Sequence, residues 1–324
     1  MRKLNILIWH IHGAYLTAIT QAEHNWYLPT KPDPSEGYIG RGQDSTMPDY
    51  VREIPAEEVR NLELDLIIFQ TPKNYQTDQF EILSDEQRQL PKIYLEHNTP
   101  EPHPTFSRHP AADDPAVTLV HVTHYNRLMW DNGQAPTRVI EHSVAIDPSV
   151  RYRGDRAEGM VMVNELQRRG RMAGFDLFEE VRRQVPVTVM GMKSAEIGGI
   201  GEIHYRHLHR RLAEYRFLFS PMRYSSLPLA VIEAMTIGMP IVALATTELP
   251  TVIENNVHGF VSCNPAELVE KMRYLLDNPA EAKRMGEQAR QLALRRFGLD
   301  RFVRDWNRLM NELVNAPELS ALRP

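Results

Sequence analysis

Short apolar runs recur along the whole chain, each closed by a polar, glycine or proline break. In the first half Leu4–Trp9, Leu64–Gln70, Lys92–Leu95, Val117–Val122 and Arg138–Glu141 read as strands. In the second half Met160–Val163, Pro186–Met190, Arg216–Phe219 and the run Ile241-Val242-Ala243 read the same way. Segments of helical spacing fall between them: Leu16–Glu23, Ala56–Asn61, Ser84–Leu90, Phe175–Arg183 and His204–Tyr215. Ser84 with Gln87 three residues on predicts a reciprocal cap. Three amphipathic helices close the pattern, Ala266–Leu276, Pro279–Phe297 and Asp300–Val314. Residues 29–49 are rich in Pro, Gly and polar side chains and read as a long loop. Strands alternating with helices predict an α/β chain with a doubly wound parallel sheet in each half. The expected division is 1–150 and 151–300, with 301–324 as a last helix packing back on the first domain.

Composition narrows the classes. The 324 residues suffice for two domains, and 42% hydrophobic with 24% charged residues is ordinary for a globular protein. A net charge of -5 supplies no general affinity for nucleic acid. One cysteine, Cys263, excludes an internal disulfide and suits a reducing, cytoplasmic setting. The opening apolar run is too short for a signal peptide and reads better as a first buried strand. Thirteen histidines occur without a metal-ligand spacing, so no metal site is expected. His204, His207 and His209 lie among Arg206, Arg210 and Arg211, a basic helix face suited to a peripheral membrane contact with anionic lipid.

The densest information lies in 217–247. Phe217–Phe219 ends at Ser220-Pro221; Ser225-Ser226-Leu227-Pro228 leads into Leu229-Ala230-Val231-Ile232-Glu233-Ala234-Met235; Gly238-Met239-Pro240 stops the helix before the next apolar run. Pro228 suits the first helical turn, where its missing N–H is no loss. The amides of Leu229 and Ala230 then stand free at a helix N-terminus, an end that attracts phosphate.

This stretch resembles the sugar-nucleotide site of the retaining family 4 of GT-B glycosyltransferases. Glu233 and the tail Ala-Met-x-x-Gly-x-Pro-Ile-Val-Ala match that family's pattern. The family's first glutamate falls on Ser225, and its glycine before the helix falls on Pro228. Val139–Asp147 is similar to the family's interdomain joint, and Val257–Val261 to its G-x-x-G-x-L-V motif. The resemblance implies a GT-B fold, two Rossmann-like domains facing across a cleft. It implies that Glu233 binds the ribose hydroxyls, which suits a carboxylate that accepts from both. Ser225, Ser226, Leu227, Leu229 and Ala230 would line the donor site. His97, after the Lys92–Leu95 strand, would contact the donor sugar, and His12 and Gly13 would approach the phosphate or acceptor. The family's Arg and Lys positions hold Glu165 and Ala173 here. Asn164, Arg168, Arg169 and Arg171 are therefore the nearby candidates for the diphosphate, with His97 and Arg171 as the catalytic pair.

The implied activity is metal-independent, retaining transfer of a sugar from a nucleotide-diphosphate sugar to a glycan, lipid-linked or small-molecule acceptor, with no cofactor. Ser225, Glu165 and Ala173 keep two alternatives open. One is an accessory protein that binds nucleotide without turnover; the other is a sugar-nucleotide epimerase or hydrolase of the same fold.

Overall fold

The computed structural model describes residues 2–33, 35–42 and 47–316. Pro34 and residues 43–46 of the expected loop, and 317–324 of the expected terminal segment, lie outside the described residues. Contacts divide the chain into two units: residues up to Glu141 with the chain from Leu299 onward, and His142–Gly298. The expected split at 150/151 thus falls inside the second unit. Val144 and Val150 explain why, since both are buried in that unit's core.

The first unit holds a seven-stranded sheet. Its strands are β1 (Asn5–Ile8), β2 (Asn25–Thr30), β3 (Val51–Pro55), β4 (Leu66–Phe69), β5 (Lys92–Glu96), β6 (Val117–His121) and β7 (Thr137–Val139). The order is β3-β2-β1-β4-β5-β6-β7, with every pairing parallel. Leu7, Ile67, Phe69, Tyr94 and Leu119 share one core cluster. The alternate residues Ile6, Ile8, Ile68, Ile93 and Val120 are buried as well. Both faces are covered, which is why these strands read as unbroken apolar runs.

Two strands of this unit escape the apolar pattern. Pro29 marks β2 as a loop, yet β1 pairs with β2 only as far as Leu7 opposite Tyr27, so the missing N–H breaks no ladder to β1. The edge strand β3 is mostly exposed and carries Arg52 and Glu53. The first helix is Gly13–Ile19 rather than Leu16–Glu23, because Tyr15, Leu16, Ala18 and Ile19 already bury its face. Ser84 and Gln87 do cap each other, N–H to side chain at 3.0 and 3.2 Å. The segment nevertheless closes as one short 3-10 turn, Gln87–Gln89. The terminal helix Leu299–Val314 packs within this unit: Trp306 Nε1 donates to the Tyr15 hydroxyl at 3.2 Å, and His24 Nε2 meets Asn307 Oδ1 at 2.9 Å.

The second unit holds β8 (Arg156–Met162), β9 (Val187–Met190), β10 (Tyr215–Ser220), β11 (Ile241–Leu244) and β12 (Gly259–Ser262), in the parallel order β12-β11-β10-β8-β9. Met160, Leu218 and Ile241 face the helix Leu229–Ile237 through Val231, Ile232 and Met235. Val161, Phe217, Phe219 and Val242 lie in the opposite core with Leu177, Phe178 and Met272. The sheet is therefore doubly wound.

Candidate functional site

In an open parallel sheet, ligands favour the carboxyl ends of strands where the order reverses. In the second unit that point lies between β8 and β10, and the sequence candidates gather there. Val163-Asn164-Glu165 leaves β8, and Pro221–Pro228 leaves β10 for the helix Leu229–Ile237. Met162, Val163, Phe219, Ser220, Pro228 and Ala230 line one small cavity between these two exits.

Pro228 is the cap residue, with extended backbone, rather than a residue of the first turn. Its carbonyl accepts from Val231 N at 3.0 Å. Its lack of an N–H still matters little there, and the amides of Leu229 and Ala230 remain first-turn donors beyond the reach of any helix carbonyl. No side chain caps this end. Ser226 is buried, and its Oγ has no partner among the described residues. Its carbonyl accepts from Thr247 Oγ1 at 3.1 Å, while Thr246 Oγ1 donates to the Met222 carbonyl at 3.0 Å. The loop after β11 thus braces the loop after β10. Ser225 is half-buried, and Leu227 is in the core.

Glu233 is only 3% exposed. Its Oε1 lies 3.2 Å from Nε2 of His209, which is itself buried on the helix Tyr205–Leu212. The Tyr205 ring stands edge-on to His209 with centroids 4.9 Å apart. Burial, with the Glu233 charge adding to it, raises the Tyr205 phenol well above its usual range. His209 therefore does not belong to the basic face expected of 204–211. Arg210 and Arg211 on that helix pair with Asp147 and Glu214. Sequence spacing alone gave no sign of the His209–Glu233 pair, because β10 and the loop after it separate the two.

The basic candidates divide. Asn164 Oδ1 accepts from Met192 N at 2.9 Å and ties the loops after β8 and β9 together. Gly191 makes this approach feasible, since a Cβ there would meet Val163 O and Asn164 Oδ1 at 2.7 and 2.8 Å. Glu165 adopts a left-handed backbone, φ 51°, at the start of the helix Leu166–Ala173. Its carboxylate takes Arg168 Nε at 2.9 Å and Lys193 Nζ at 3.7 Å. The Arg168 partner holds Glu165 below the usual carboxylate range. Arg171 pairs with Asp176 at 2.8 Å, and Asp176 is shared with Arg223, a residue the sequence reading missed. Arg223 also donates to the Arg171 carbonyl at 2.8 Å. Arg169 is half-buried on the same helix.

The first unit has its own reversal point, between β1 and β4, and the remaining candidates converge on it. His12 precedes the helix after β1, Gln70 follows β4 and His97 follows β5. The rings of His12 and His97 lie 4.3 Å apart, and Tyr15 stands 4.7 Å from His97. His97 Nε2 meets Gln70 Oε1 at 2.8 Å, and Gln70 Nε2 donates to the Trp9 carbonyl at 2.5 Å. Gln70 is thus a further member of the cluster, visible in sequence only as the polar end of an apolar run. Burial, and then the neighbouring His10, lowers the His12 pKa. An imidazole kept neutral can accept a proton or a hydrogen bond from a hydroxyl. Gly13 stands at the helix start, where a Cβ would meet the His10 ring at 3.3 Å. Among the described residues no group of three or more His, Cys, Asp or Glu is placed to hold a metal ion.

Residues 193–292 match the family model described as glycosyl transferases group 1. An uncharacterized glycosyltransferase of Haemophilus influenzae is 29% identical over 93 residues, which is 28% of this chain and 26% of that protein. The chain thus spans about a quarter of that relative's length. Sucrose-phosphate synthase from Thermosynechococcus elongatus superposes with a TM-score of 0.72 at 14% identity, over 98% of this chain and 100% of that one. HepE of Anabaena, solved with UDP and glucose, gives 0.70 at 15%, over 96% and 100%. A glycosyltransferase of Rickettsia africae gives 0.68 at 12%, over 98% and 100%. Among the described residues no helix is long and apolar enough to cross a membrane.

Proposed function

We propose that this chain, a GT-B-fold protein whose residues 193–292 match the group 1 glycosyl transferases, moves a sugar from a nucleotide-diphosphate sugar to an acceptor hydroxyl with retention of configuration. One observation carries the reading. At the reversal point of the second sheet, free first-turn amides of Leu229 and Ala230 stand one turn from the buried carboxylate of Glu233. Helix-end amides suit a diphosphate, and a carboxylate suits the adjacent ribose diol. HepE, of the same fold, is solved with UDP and glucose, which makes UDP-sugars the first donors to test.

In the proposed reaction the bond from the anomeric carbon to the diphosphate oxygen breaks. The acceptor oxygen bonds to that carbon on the same face, and its proton passes to the departing phosphate. The protein contributes positioning and charge stabilisation, through backbone donors that need no reorganisation as charge develops. Arg168, Arg169 and Arg171 are the proposed cationic partners, with Arg171 and His97 acting closest to the reacting groups. No metal or cofactor is required in this scheme. His97 and His12 would hydrogen-bond sugar or acceptor hydroxyls. The acceptor is proposed as a glycan, a lipid-linked sugar or a small molecule, and the setting as cytoplasmic.

The pairing of Arg168 with Glu165, and of Arg171 with Asp176, favours one second reading: a protein that binds nucleotide without turnover. Incubation with UDP-sugars and an acceptor panel, with the product anomer read by NMR, separates the two. A product with the donor's configuration is the expected result. Binding of UDP with no transfer supports the second reading. Donor altered without any acceptor points to an epimerase or hydrolase.

A further inference from the structure

We infer that His209 is the positioning residue for Glu233, so that discrimination for ribose depends on an imidazole acting through the carboxylate. The inference rests on Glu233 being the ribose-binding group proposed above. Val231, Ile232, Ala234 and Met235, which flank Glu233 on its helix, are fully buried. A carboxylate in such surroundings is costly unless a donor meets it. The 3.2 Å contact joins His209 Nε2 to Glu233 Oε1, and with the Nε2–H tautomer the ring donates to the carboxylate oxygen. Among the described residues no donor meets Oε2, which leaves that oxygen for a ligand hydroxyl.

The imidazole is in turn held in place. His209 is 6% exposed, and the Tyr205 ring packs on it edge-on. The Tyr205 hydroxyl donates to the Ala145 carbonyl at 3.3 Å. Tyr205, His209 and Glu233 thus form a chain from the helix Tyr205–Leu212 to the helix Leu229–Ile237. The choice of histidine has a chemical reason. A guanidinium can pair with both carboxylate oxygens at once and would compete with a diol at each of them. A single N–H fixes one oxygen, and with it the rotation of the carboxylate plane.

The test is calorimetry on the full chain with two probes, UDP and 2′,3′-dideoxy-UDP. Native protein should prefer UDP, and Glu233→Ala should abolish that preference. His209→Phe should cut the preference at least about fivefold while dideoxy-UDP affinity stays within about twofold. His209→Gln, which can offer an amide N–H near the Nε2 position, should restore most of it. The dideoxy probe doubles as the control for folding, since an unfolded variant binds neither ligand. If Glu233→Ala abolishes the preference and His209→Phe keeps it, the positioning role is overturned and the ribose reading stands. Equal loss of both affinities in His209→Phe also overturns it, by making His209 merely structural. A preference that survives Glu233→Ala, or native protein that binds both probes equally, overturns the ribose reading and this inference together.

Discussion

At the residue scale, Ser225 is where the loop after β10 departs most from the pattern it resembles. A serine is shorter than a glutamate, neutral, and both donates and accepts. It stands on the loop before the helix Leu229–Ile237, apart from the buried Glu233–His209 pair. Ser225→Glu should therefore change the ranking of sugar donors while affinity for the bare nucleoside diphosphate stays within about threefold, or roughly 0.6 kcal/mol. Loss of diphosphate binding in a folded variant would show that the loop register is misassigned. The basic residues allow a second prediction. Glu165 occupies Arg168, and Asp176 occupies Arg171. Single Ala variants of Arg168, Arg169 and Arg171 should give one large loss of diphosphate affinity and two small ones. If Arg168 is the partner, Glu165→Gln should strengthen binding by releasing it. Three small losses would favour the reading without turnover.

At the scale of elements, the helix carrying Glu233 is held by a close crossing with Pro279–Arg296. A Cβ at Gly286 would collide with the Gly238 carbonyl, just past the end of Leu229–Ile237. The two helices approach backbone to backbone there, and glycine is what permits it. Gly286→Ala must push them apart, at a cost of about 1–3 kcal/mol typical of overpacking. Denaturant unfolding should show that loss, and nucleotide affinity should fall with it because Glu233 moves with its helix. Unchanged stability would mean that the crossing relaxes freely. Gly174, which joins the helices Leu166–Ala173 and Phe175–Val181 at φ 85°, likewise permits a close approach, here to the Pro221 carbonyl. It brings the arginine-bearing helix to the loop after β10.

For the molecule as a whole, a pH prediction follows from the buried and half-buried histidines. Burial lowers His10, His12, His24 and His258, and takes His121 from 6.5 to about 4. For His121 burial is the main cause, with His109 and Arg127 acting the same way against the Asn132 hydrogen bond. A histidine depressed in the folded state favours folding only while it is neutral. The stability it contributes is present above about 6.5 and is lost as pH falls toward about 4, because the unfolded chain takes up the proton first. For His121 the swing is up to about 3 kcal/mol. Unfolding curves between pH 7 and 4.5 should show the decline, and His121→Gln should flatten it. An unaltered slope in that variant would remove His121 as the cause. Any transferase activity should persist in EDTA, since amides and arginines are proposed to hold the diphosphate. Loss in chelator with recovery on added Mg or Mn ions would overturn that part of the proposal.

Local chemistry determined much of this protein. Parallel strands covered on both faces must be apolar at nearly every position, so Leu4–Trp9, Val117–Val122 and Arg216–Phe219 announce themselves without any partner in view. The Ser-rich loop, Pro228 and Gly238 likewise mark where the helix Leu229–Ile237 begins and ends, because backbone geometry there depends on a few residues. Other features depend on what packs alongside. Pro29 and the polar β3 are strands only because a neighbour supplies the ladder. Residues 142–150 join the second unit because their valines find its core. His209 meets Glu233, and Arg223 meets Asp176, across intervals of chain that no periodicity spans. A side chain's type is written in the sequence, whereas its hydrogen-bond partner follows from where the sheet order brings two distant segments together.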